Sequence, residues 1–504
     1  MEQPETTLPL AHRLGIDTGH EPVIFLRRES PVARSEGFES MSRIAVEVND
    51  KRILATLMIV YSDLLEPGHA GLSEKAWRAL KVKPGERLKL SHAPPISSLS
   101  YIRAKAFGHK LNRKQFHSII KDIVDGYYMN VHLAAFITAC ANSNLNADEI
   151  IYLTEAMVNT GQKLEWEAET VIDKHCIGGL PGNRTSPIIV AILAANGLTI
   201  PKTSSRAITS PAGTADVMET MTNVDFTFES LKKIVKETGG CLAWGGSVSL
   251  SPADDILITV EKALDIDFEG QLIASILSKK IAAGSQQVLI DIPVGKTAKV
   301  RSRAAAEALS KQLIYTGSQL GIKVNVVLTD GSQPVGNGIG PALEAQDVLA
   351  VLKNDSHAPA DLRERAVTLS AKLLELTEKS PPGQGYKLSL DTLTSGLAWD
   401  KFRQICELQG GFTEPKTSCC TYTITTPRRV LVEEFDNRQL ARLAKLAGAP
   451  ADKTAGVFLH AKVGDTVSED GALMTIHAEA PGELDYAINF YKDNMSMLKL
   501  KELK

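Results

Sequence analysis

The sequence predicts a multidomain α/β protein: an N-terminal β-barrel-like module, a helical domain, a mixed or parallel-sheet α/β domain and a β-rich C-terminal part. A chain of 504 residues is long enough for several domains. Apolar residues recur at helical spacing from about Asn112. Two strand–loop–helix units then follow each other from Thr170, an alternation typical of a parallel sheet with right-handed crossovers.

The composition is that of a globular protein and argues against several function classes. Hydrophobic residues make up 43% of the chain and charged residues 23%. A net charge of −3 and an aromatic content of 5% argue against a nucleic-acid partner. The longest apolar stretch, 187–195, is shorter than the roughly 20 residues of a membrane span, and the N-terminal residues lack a targeting pattern. Six cysteines without a CxxC pair indicate reduced thiols. We therefore expect a cytoplasmic protein with no membrane partner and no metal site.

The first two domains differ in the period of their apolar residues. Residues 1–90 are predicted to form the β-barrel-like domain, and residues 91–165 the helical domain, to which 252–285 return. Strands are expected at 23–26, 43–48, 52–60 and 87–90, and helices at 72–80, 116–123, 131–137, 147–160 and 252–283.

The remaining domains are predicted at 166–425 (α/β) and 426–504 (C-terminal α/β). Strands are expected at 170–172, 198–200, 288–292 and 323–328, and helices at 187–196, 215–221, 342–353, 360–379 and 440–446. Ligands of parallel sheets bind at the carboxyl ends of the strands, so the loops after the first two strands form the candidate site.

The first of these loops, DKHCIGGLPGN (173–183), carries Lys174, His175, Cys176 and three glycines before a helix. Glycines let backbone N–H groups converge on an anion, and the helix N-terminus adds a favourable dipole. Lys174 would add a point charge suited to phosphate. The alternative is a tight strand-to-helix turn with no ligand, since the pattern matches neither common phosphate motif.

The second loop, 204–214, is dense in hydroxyl groups and also ends at a helix start. Hydroxyl donors with one arginine, Arg206, suit an anion and a heterocycle. The alternative is that the Ser and Thr side chains cap the helix.

A third segment surrounds Asp267, between Ile266 and Phe268. If these neighbours desolvate the carboxyl, its pKa rises and Asp267 can donate a proton near neutrality; the alternative is a helix cap. In the following helix, Ser275 and Lys279 are four residues apart and share one face.

Two features of the C-terminal part are interpreted as scaffold. Residues 463–479 resemble a biotinyl/lipoyl-type hairpin without a modifiable lysine in its turn. His460 is expected to pack against the C-terminal sheet.

Three segments together resemble the thymidine/pyrimidine-nucleoside phosphorylase family: 173–183 its phosphate loop, SSRAITSPAGTADVME (204–219) its signature, and SILSKKIAAG (275–284) its substrate helix. The resemblance extends from about residue 95 to residue 504. The N-terminal module and KTSSRAITSPAGTAD resemble the longer branch, which includes archaeal AMP phosphorylases and bacterial proteins labelled thymidine phosphorylase.

The resemblance implies phosphorolysis. Inorganic phosphate attacks C1′ of a nucleoside or nucleotide, which gives a sugar 1-phosphate and a free base. It further implies helical and α/β domains that close over a cleft, a homodimer or higher homo-oligomer, and no cofactor besides the co-substrate phosphate.

The resemblance also implies roles for individual residues. Phosphate ligands are Lys174, Ser204 and Thr214, with Thr185 at another hydroxyl position, and Ser275 and Lys279 match the base-binding pair. Nucleotide-binding positions of the longer branch are matched by Gly179, Ser205, Arg206, Ala207, Ile208, Thr209, Ser210, Thr214, Ser275 and Lys299. Asp267 matches the proton donor, and His175 is the alternative acid because its ordinary pKa lies near neutrality.

Three positions depart from the shorter thymidine phosphorylases. Cys176 replaces a serine, Val260-Glu261 stands where an arginine would meet a pyrimidine carbonyl, and Pro211 replaces Thr or Ala. The last two departures argue against thymidine as the preferred substrate.

Two other readings remain open. An anthranilate-type phosphoribosyltransferase would need an acidic pair for magnesium pyrophosphate; the nearest downstream pair, Asp254-Asp255, has the pattern of a helix start. A non-enzymatic protein with an inactive core would not be expected to retain Lys174, Arg206, Thr214 and Lys279.

Overall fold

A computed structural model describes residues 8–19, 21–142, 145–182, 184–207, 210–266 and 268–503. Its contacts divide the chain into two units, Met1–Asn144 with Thr259–Ile266, and Leu145–Ile258 with Asp267–Lys504. The sequence predicts four domains, whereas this division has two units, so the limits of the four domains stay a prediction.

The first unit begins with a curled six-stranded sheet in the order β1-β5-β2-β4-β3-β6. A backbone bridge between Leu10 and Arg87 connects β1 to the segment before β6, as expected of a barrel-like module. The sheet interior is apolar; Ile24, Leu26 and Ile44 are fully buried. The elements are β1 (Leu10–Arg13), β2 (Val23–Arg27), α1 (Pro31–Ser35), β3 (Arg43–Val48), β4 (Lys51–Val60), β5 (His69–Leu72), α2 (Glu74–Leu80) and β6 (Lys89–His92).

Helices α3 (Leu99–Ala106), α4 (Arg113–Val124) and α5 (Asn130–Asn142) complete this part of the first unit. The side chain of Asn112 caps α4 and the Gln115 side chain returns the bond to the Asn112 amide, which fixes the helix start where the apolar period begins. The helices predicted at 116–123 and 131–137 are confirmed as α4 and α5, whereas the helix predicted at 252–283 is two helices, α10 (Pro252–Leu264) and α11 (Glu269–Ala282).

The second unit contains parallel strands covered by helices. Strands β11, β10 and β7 form one parallel sheet and β8 and β9 another, and a parallel bridge joins Val171 to Thr199. The predicted parallel arrangement is confirmed. The elements are α6 (Ala147–Asn159), β7 (Ile172–Cys176), α7 (Thr185–Ala195), β8 (Ile200–Ser204), α8 (Thr214–Glu219), α9 (Phe228–Thr238), β9 (Gly240–Trp244), α10 (Pro252–Leu264), α11 (Glu269–Ala282), β10 (Gln287–Val294), α12 (Arg303–Gln319), β11 (Lys323–Asp330), β12 (Gly338–Ile339), α13 (Pro341–Leu352), α14 (Ala360–Leu376), α15 (Gly385–Thr394) and α16 (Leu397–Leu408).

Helix α7 lies at the centre of the main hydrophobic core. Its residues from Thr185 to Ala194 are all buried. A helix that is apolar on every side must be enclosed by other elements, and residues of α13, α14 and α16 belong to the same core. This enclosure gives the loop before α7 a rigid support.

The C-terminal part carries two antiparallel sheets, β12-β15-β17-β13 and β16-β14-β18. The predicted helix at 440–446 is confirmed as α17, whereas α18 was not predicted. The elements are β13 (Cys420–Thr425), β14 (Val430–Phe435), α17 (Asn437–Leu446), β15 (Gly456–Leu459), β16 (Thr466–Val467), β17 (Ala472–Ala478), α18 (Pro481–Asp493), a 3₁₀ turn (Met495–Met497) and β18 (Leu498–Glu502). Within the described ranges, every helix is too short or too polar to cross a lipid bilayer.

Candidate active site

Strand β7 extends further than the sequence suggested. Lys174, His175 and Cys176 were expected in a loop, but they belong to β7 and pair with Leu289, Ile290 and Asp291 of β10. The same shift applies to Ser204, which is the last residue of β8. The polar residues at 173–176 predicted a loop because the buried partners that compensate their charges come from distant parts of the chain.

Lys174 is fully buried in the middle of β7. Its ammonium donates to the Thr185 hydroxyl at 2.7 Å, and the carboxylate of Asp291 lies 4.0 Å away. Thr185 in turn donates to the carbonyl of Gly182 at 2.8 Å. This chain of contacts holds a positive charge directly below the glycine-rich loop (177–182).

Asp291 is held from the opposite side by a second chain of contacts. The Thr329 hydroxyl donates to it at 2.6 Å, and Arg365 donates to Thr329 at 2.9 Å. The second carboxylate oxygen of Asp291 is buried, and among the residues that the structure describes none forms a hydrogen bond with it. Burial, with Asp291 nearby, raises the pKa of the Cys176 thiol to about 11, so this thiol is protonated and neutral at physiological pH.

The glycine-rich loop packs directly against Lys299. Gly179 has φ +80°, in the left-handed region, and a β-carbon there would lie 2.9 Å from the β-carbon of Lys299. Only glycine satisfies both conditions. Two predicted nucleotide-binding positions that are far apart in the sequence are therefore neighbours.

The second loop, here called the serine-rich loop (204–214), is fixed mainly by Asp216. One oxygen of the Asp216 carboxylate accepts the amide of Ala207 at 2.6 Å and that of Gly213 at 2.9 Å. Ser204 donates to the carbonyl of Ala243 at 3.3 Å. Ser210 and Thr214 are buried, and Ser205 is exposed.

Asp254 organises the base-binding helix predicted by the resemblance. It is fully buried near the start of α10, accepts a hydrogen bond of 2.9 Å from Ser275 and forms an ion pair with Lys279. The expected sharing of a helix face by Ser275 and Lys279 is confirmed, since both side chains reach one carboxylate. The prediction that Asp254-Asp255 opens a helix is correct too, but incomplete, because Asp254 also belongs to the site.

Asp173 links strand β7 to helix α11, which carries Ser275 and Lys279. Its carboxylate lies 2.5 Å from the Lys280 ammonium and 3.4 Å from that of Lys202, and all three residues are buried. Two ammonium groups thus share one carboxylate. Burial lowers the pKa of Lys280 although Asp173 opposes the change.

His175 lies among these cations. Part of the residue stays accessible, but desolvation by the surrounding protein lowers its pKa well below 6.5, and neighbouring lysines reinforce the effect: Lys280, Lys202, Lys174 and Lys279. The ring is therefore neutral at physiological pH.

Three predicted site residues, Asp267, Ile208 and Thr209, lie outside the described residues, as does Asn183 of the first loop. Sequence reasoning missed Asp173, Lys202, Asp254, Lys280 and Asp291. The signal it could have used was charge in the middle of buried strands and helices. Within the described ranges, no group of three or more His, Cys, Asp or Glu side chains could hold a metal ion.

His460 contacts the C-terminal sheet as expected. Its Nε2 lies 2.8 Å from the hydroxyl of Thr475 on β17, and its ring meets the Phe458 ring edge-on.

Three family models match this chain. The helical bundle domain of the glycosyl transferase family matches residues 99–161, and the α/β domain of that family matches 168–399. The C-terminal domain of pyrimidine nucleoside phosphorylases matches 431–498. Full-length relatives agree: a "Putative thymidine phosphorylase" of Hahella chejuensis is 52% identical over 100% of this chain and 99% of its own length. The chain belongs to the thymidine/pyrimidine-nucleoside phosphorylase family.

Other relatives in this family include "Putative thymidine phosphorylase 2" of Acidovorax, 52% identical over 98% of this chain and 96% of its own. Membership makes the chain a pentosyltransferase. Two solved structures share the fold at lower identity. Anthranilate phosphoribosyltransferase from Thermus thermophilus has a TM-score of 0.51 and 17% identity, covering 61% of this chain and 98% of its own. The enzyme from Saccharomyces cerevisiae has a TM-score of 0.52 and 15% identity, covering 62% of this chain and 98% of its own.

Proposed function

We propose that this protein catalyses phosphorolysis of a pyrimidine nucleoside such as thymidine, or of a nucleoside 5′-monophosphate. Inorganic phosphate is the co-substrate, no other cofactor takes part, and the products are free base and a (deoxy)ribose 1-phosphate. One observation carries the proposal, the 2.5 Å ion pair between Asp173 and Lys280. Because Lys174 follows Asp173 and Lys279 precedes Lys280, this pair fixes the two lysines on which the reaction would depend.

Phosphate would bind between the glycine-rich and serine-rich loops. Lys174, already oriented by Thr185, supplies positive charge, and Ser204 and Thr214 supply hydroxyl donors. A phosphate dianion held there stands beside C1′, where positive charge develops as the glycosidic bond breaks. Because these donors are fixed before the reaction, they need no reorganisation as charge develops. They therefore stabilise the transition state more than the ground state.

The base would contact Ser275 and Lys279, which Asp254 orients. Negative charge develops on the departing base, and a proton donor relieves it. The resemblance gives this role to Asp267, with His175 as the alternative. A neutral His175 can donate a hydrogen bond to a base carbonyl. Because its pKa is lowered, little of it is protonated near neutral pH, so it is poorly suited to transfer a proton to the base.

The contact between Gly179 and Lys299 supports a substrate with a 5′-phosphate, since the longer branch uses both positions for nucleotides. Val260-Glu261, in place of an arginine, argues in the same direction. We propose AMP, CMP and UMP as substrates to compare with thymidine, and a cytoplasmic homodimer as the working form.

The phosphoribosyltransferase alternative has less support. Its acidic pair would have to hold magnesium, but Asp254 already contacts Lys279 and Ser275. The likeness to anthranilate phosphoribosyltransferases is one of fold alone.

The deciding experiment incubates the purified protein with phosphate and each of AMP, CMP, UMP and thymidine, and measures released base by chromatography. We expect release from at least one. A parallel reaction with phosphoribosyl pyrophosphate, anthranilate and Mg²⁺ tests the alternative. No base from any of the four substrates rejects phosphorolysis.

A second experiment tests the proton donor. Asp267→Asn should lower turnover by at least about a hundredfold if Asp267 is the acid. Near-normal turnover would give the role to His175.

A further inference from the structure

Arg206 lies in the predicted nucleotide-binding run, but its guanidinium is engaged within the protein. It donates to both carboxylate oxygens of Glu219, at 2.7 Å each, and its Cζ lies 4.8 Å from the centre of the Trp244 ring. Asp216 is a further neighbour at 3.6 Å. A bidentate pair of this kind fixes the guanidinium in direction as well as distance.

Trp244 is itself held in place. It ends β9, in register with Ser204 at the end of β8. A β-carbon at Gly246 would lie 2.5 Å from the Trp244 ring, so this glycine lets the chain pass against the indole. Arg206 therefore rests on a fixed surface at the root of the serine-rich loop.

A residue of the C-terminal part completes this cluster. The ammonium of Lys453 lies 2.6 Å from Glu219 and 3.7 Å from Asp216. The backbone of Lys453 is fixed too, because its carbonyl accepts the amide of Ala342 at the start of α13. Lys453 lies within the C-terminal family domain, whereas the loop lies within the α/β domain.

Two cations and three carboxylates meet in this cluster. Arg206 and Lys453 are the cations, Asp216 and Glu219 lie beside both of them, and Asp225 lies 4.0 Å from Arg206. Removing Lys453 leaves three carboxylates beside one guanidinium. Arg206 and Asp216 would then rearrange, and Asp216 is the residue that holds the Ala207 and Gly213 amides of the loop. A charge outside the α/β domain thus acts on the loop through one intervening carboxylate.

We propose that Lys453 is a positioning residue: it holds Asp216 and Glu219, and through them the serine-rich loop, in the geometry that binds phosphate and substrate. This inference rests on the proposed function. It gives the C-terminal part a role in the reaction although Lys453 itself touches no reacting atom, and it makes Arg206 part of the scaffold of the loop.

The test compares Lys453→Met, which keeps the aliphatic stem, with Lys453→Arg, which keeps the charge. Lys453→Met should lower kcat/KM by between about tenfold and about a hundredfold, mainly through KM for phosphate, because displacement of fixed donors is costly. Lys453→Arg should restore most of the loss. Lys499→Met, which breaks a surface ion pair of 3.1 Å with Glu433 in the same domain, is the matched control.

Amide hydrogen exchange gives a readout independent of turnover. Exchange of the Ala207 and Gly213 amides should be at least about tenfold faster in Lys453→Met than in the control. Glu219→Gln should produce the same effect, and adding it to Lys453→Met should change little, since both act through one cluster. The Glu219 variant also serves if Lys453→Met fails to fold.

Each outcome decides between the two proposals. If the wild-type protein releases no base from any substrate, the proposed function fails. Amide hydrogen exchange of Ala207 and Gly213 then decides whether Lys453 holds the serine-rich loop. If the wild type is active and Lys453→Met keeps kcat/KM within about twofold, this inference is wrong, whether or not exchange changes.

Discussion

The hydroxyl of Ser275 donates a hydrogen bond of 2.9 Å to the carboxylate of Asp254. The same carboxylate pairs with Lys279. One buried acid on α10 therefore sets the direction of two side chains on α11 that are proposed to meet the base. Four predictions follow from this and from the other contacts of the site.

Asp254→Asn should raise KM for the nucleoside or nucleotide by about tenfold to a hundredfold. The amide loses the charge that pairs with Lys279, and hydrogen bonds to charged groups contribute about 1.5–3 kcal/mol. Steady-state kinetics with the best substrate of the panel measures it. Asp255→Asn, one residue further along the same helix at an exposed position, is the control and should change KM little. Equal KM values for the two variants would show that Asp254 does not orient the pair.

Lys174→Met should raise KM for phosphate by at least about tenfold, because it removes the buried charge next to Thr185. It should also destabilise the protein by about 3–5 kcal/mol, since Asp291 is left buried beside an apolar side chain. Phosphate titration measures the first effect and urea unfolding the second. Lys296→Met, at an exposed pair with Glu434, should leave both unchanged. An unaltered phosphate requirement in Lys174→Met would refute the assignment of phosphate to this strand.

His175 should produce an acid-sensitive component of stability. Its pKa is lowered in the folded protein by burial and then by the nearby lysines, so the unfolded chain binds more protons below pH 6.5. The free energy of unfolding should therefore fall as the pH drops below 6.5 and stay level, for this residue, above it. Urea unfolding at pH 5.5 and 7.5 measures the difference, which His175→Gln should reduce. A difference of the same size in the variant would show that other groups cause it.

Gly213→Ala should weaken both stability and catalysis. A β-carbon at Gly213 would lie 2.6 Å from the carbonyl oxygen of Ser205 and 2.9 Å from the amide nitrogen of Ala207, so the loop must open. We expect a loss of about 1–3 kcal/mol in unfolding free energy and a lower kcat/KM. Gly482→Ala is the control. Outside its own helix and chain neighbours, its β-carbon would meet no atom of the described residues within 4 Å, and it lies in α18, where alanine favours the helix. Equal stability of the two variants would contradict the close approach of the 205–207 backbone to Gly213.

The sequence was sufficient for the fold class because apolar periodicity and the strand–helix alternation are local properties. It was less reliable at β7. Asp173, Lys174 and His175 have the composition of a loop. Within β7, however, Lys280 and Lys202 compensate the charge of Asp173, and the ammonium of Lys174 donates to Thr185. Such compensation depends on residues that the fold brings together from far along the chain.

Asp254 shows the same limit. An acid in the first turn of a helix is sufficiently explained by the helix dipole, so nothing local indicated its second role. The signature segment did contain Asp216 and Glu219, but their function became evident only when the structure brought Lys453 beside them. Family resemblance proposed the substrate-binding residues, whereas the structure shows which other residues contact them.

Asp173 and Lys174 are consecutive residues of an extended strand, so their side chains point to opposite faces of the sheet. Asp173 contacts Lys280 of α11 on one face, and Lys174 lies on the other face, at the proposed phosphate site. An insertion or deletion of one residue within β7 would exchange the two faces. The contact of Asp173 with Lys280 and that of Lys174 with Thr185 would then both be lost. Engineered changes of chain length should therefore spare this strand and be made in exposed connections elsewhere, such as the turn at Gly464.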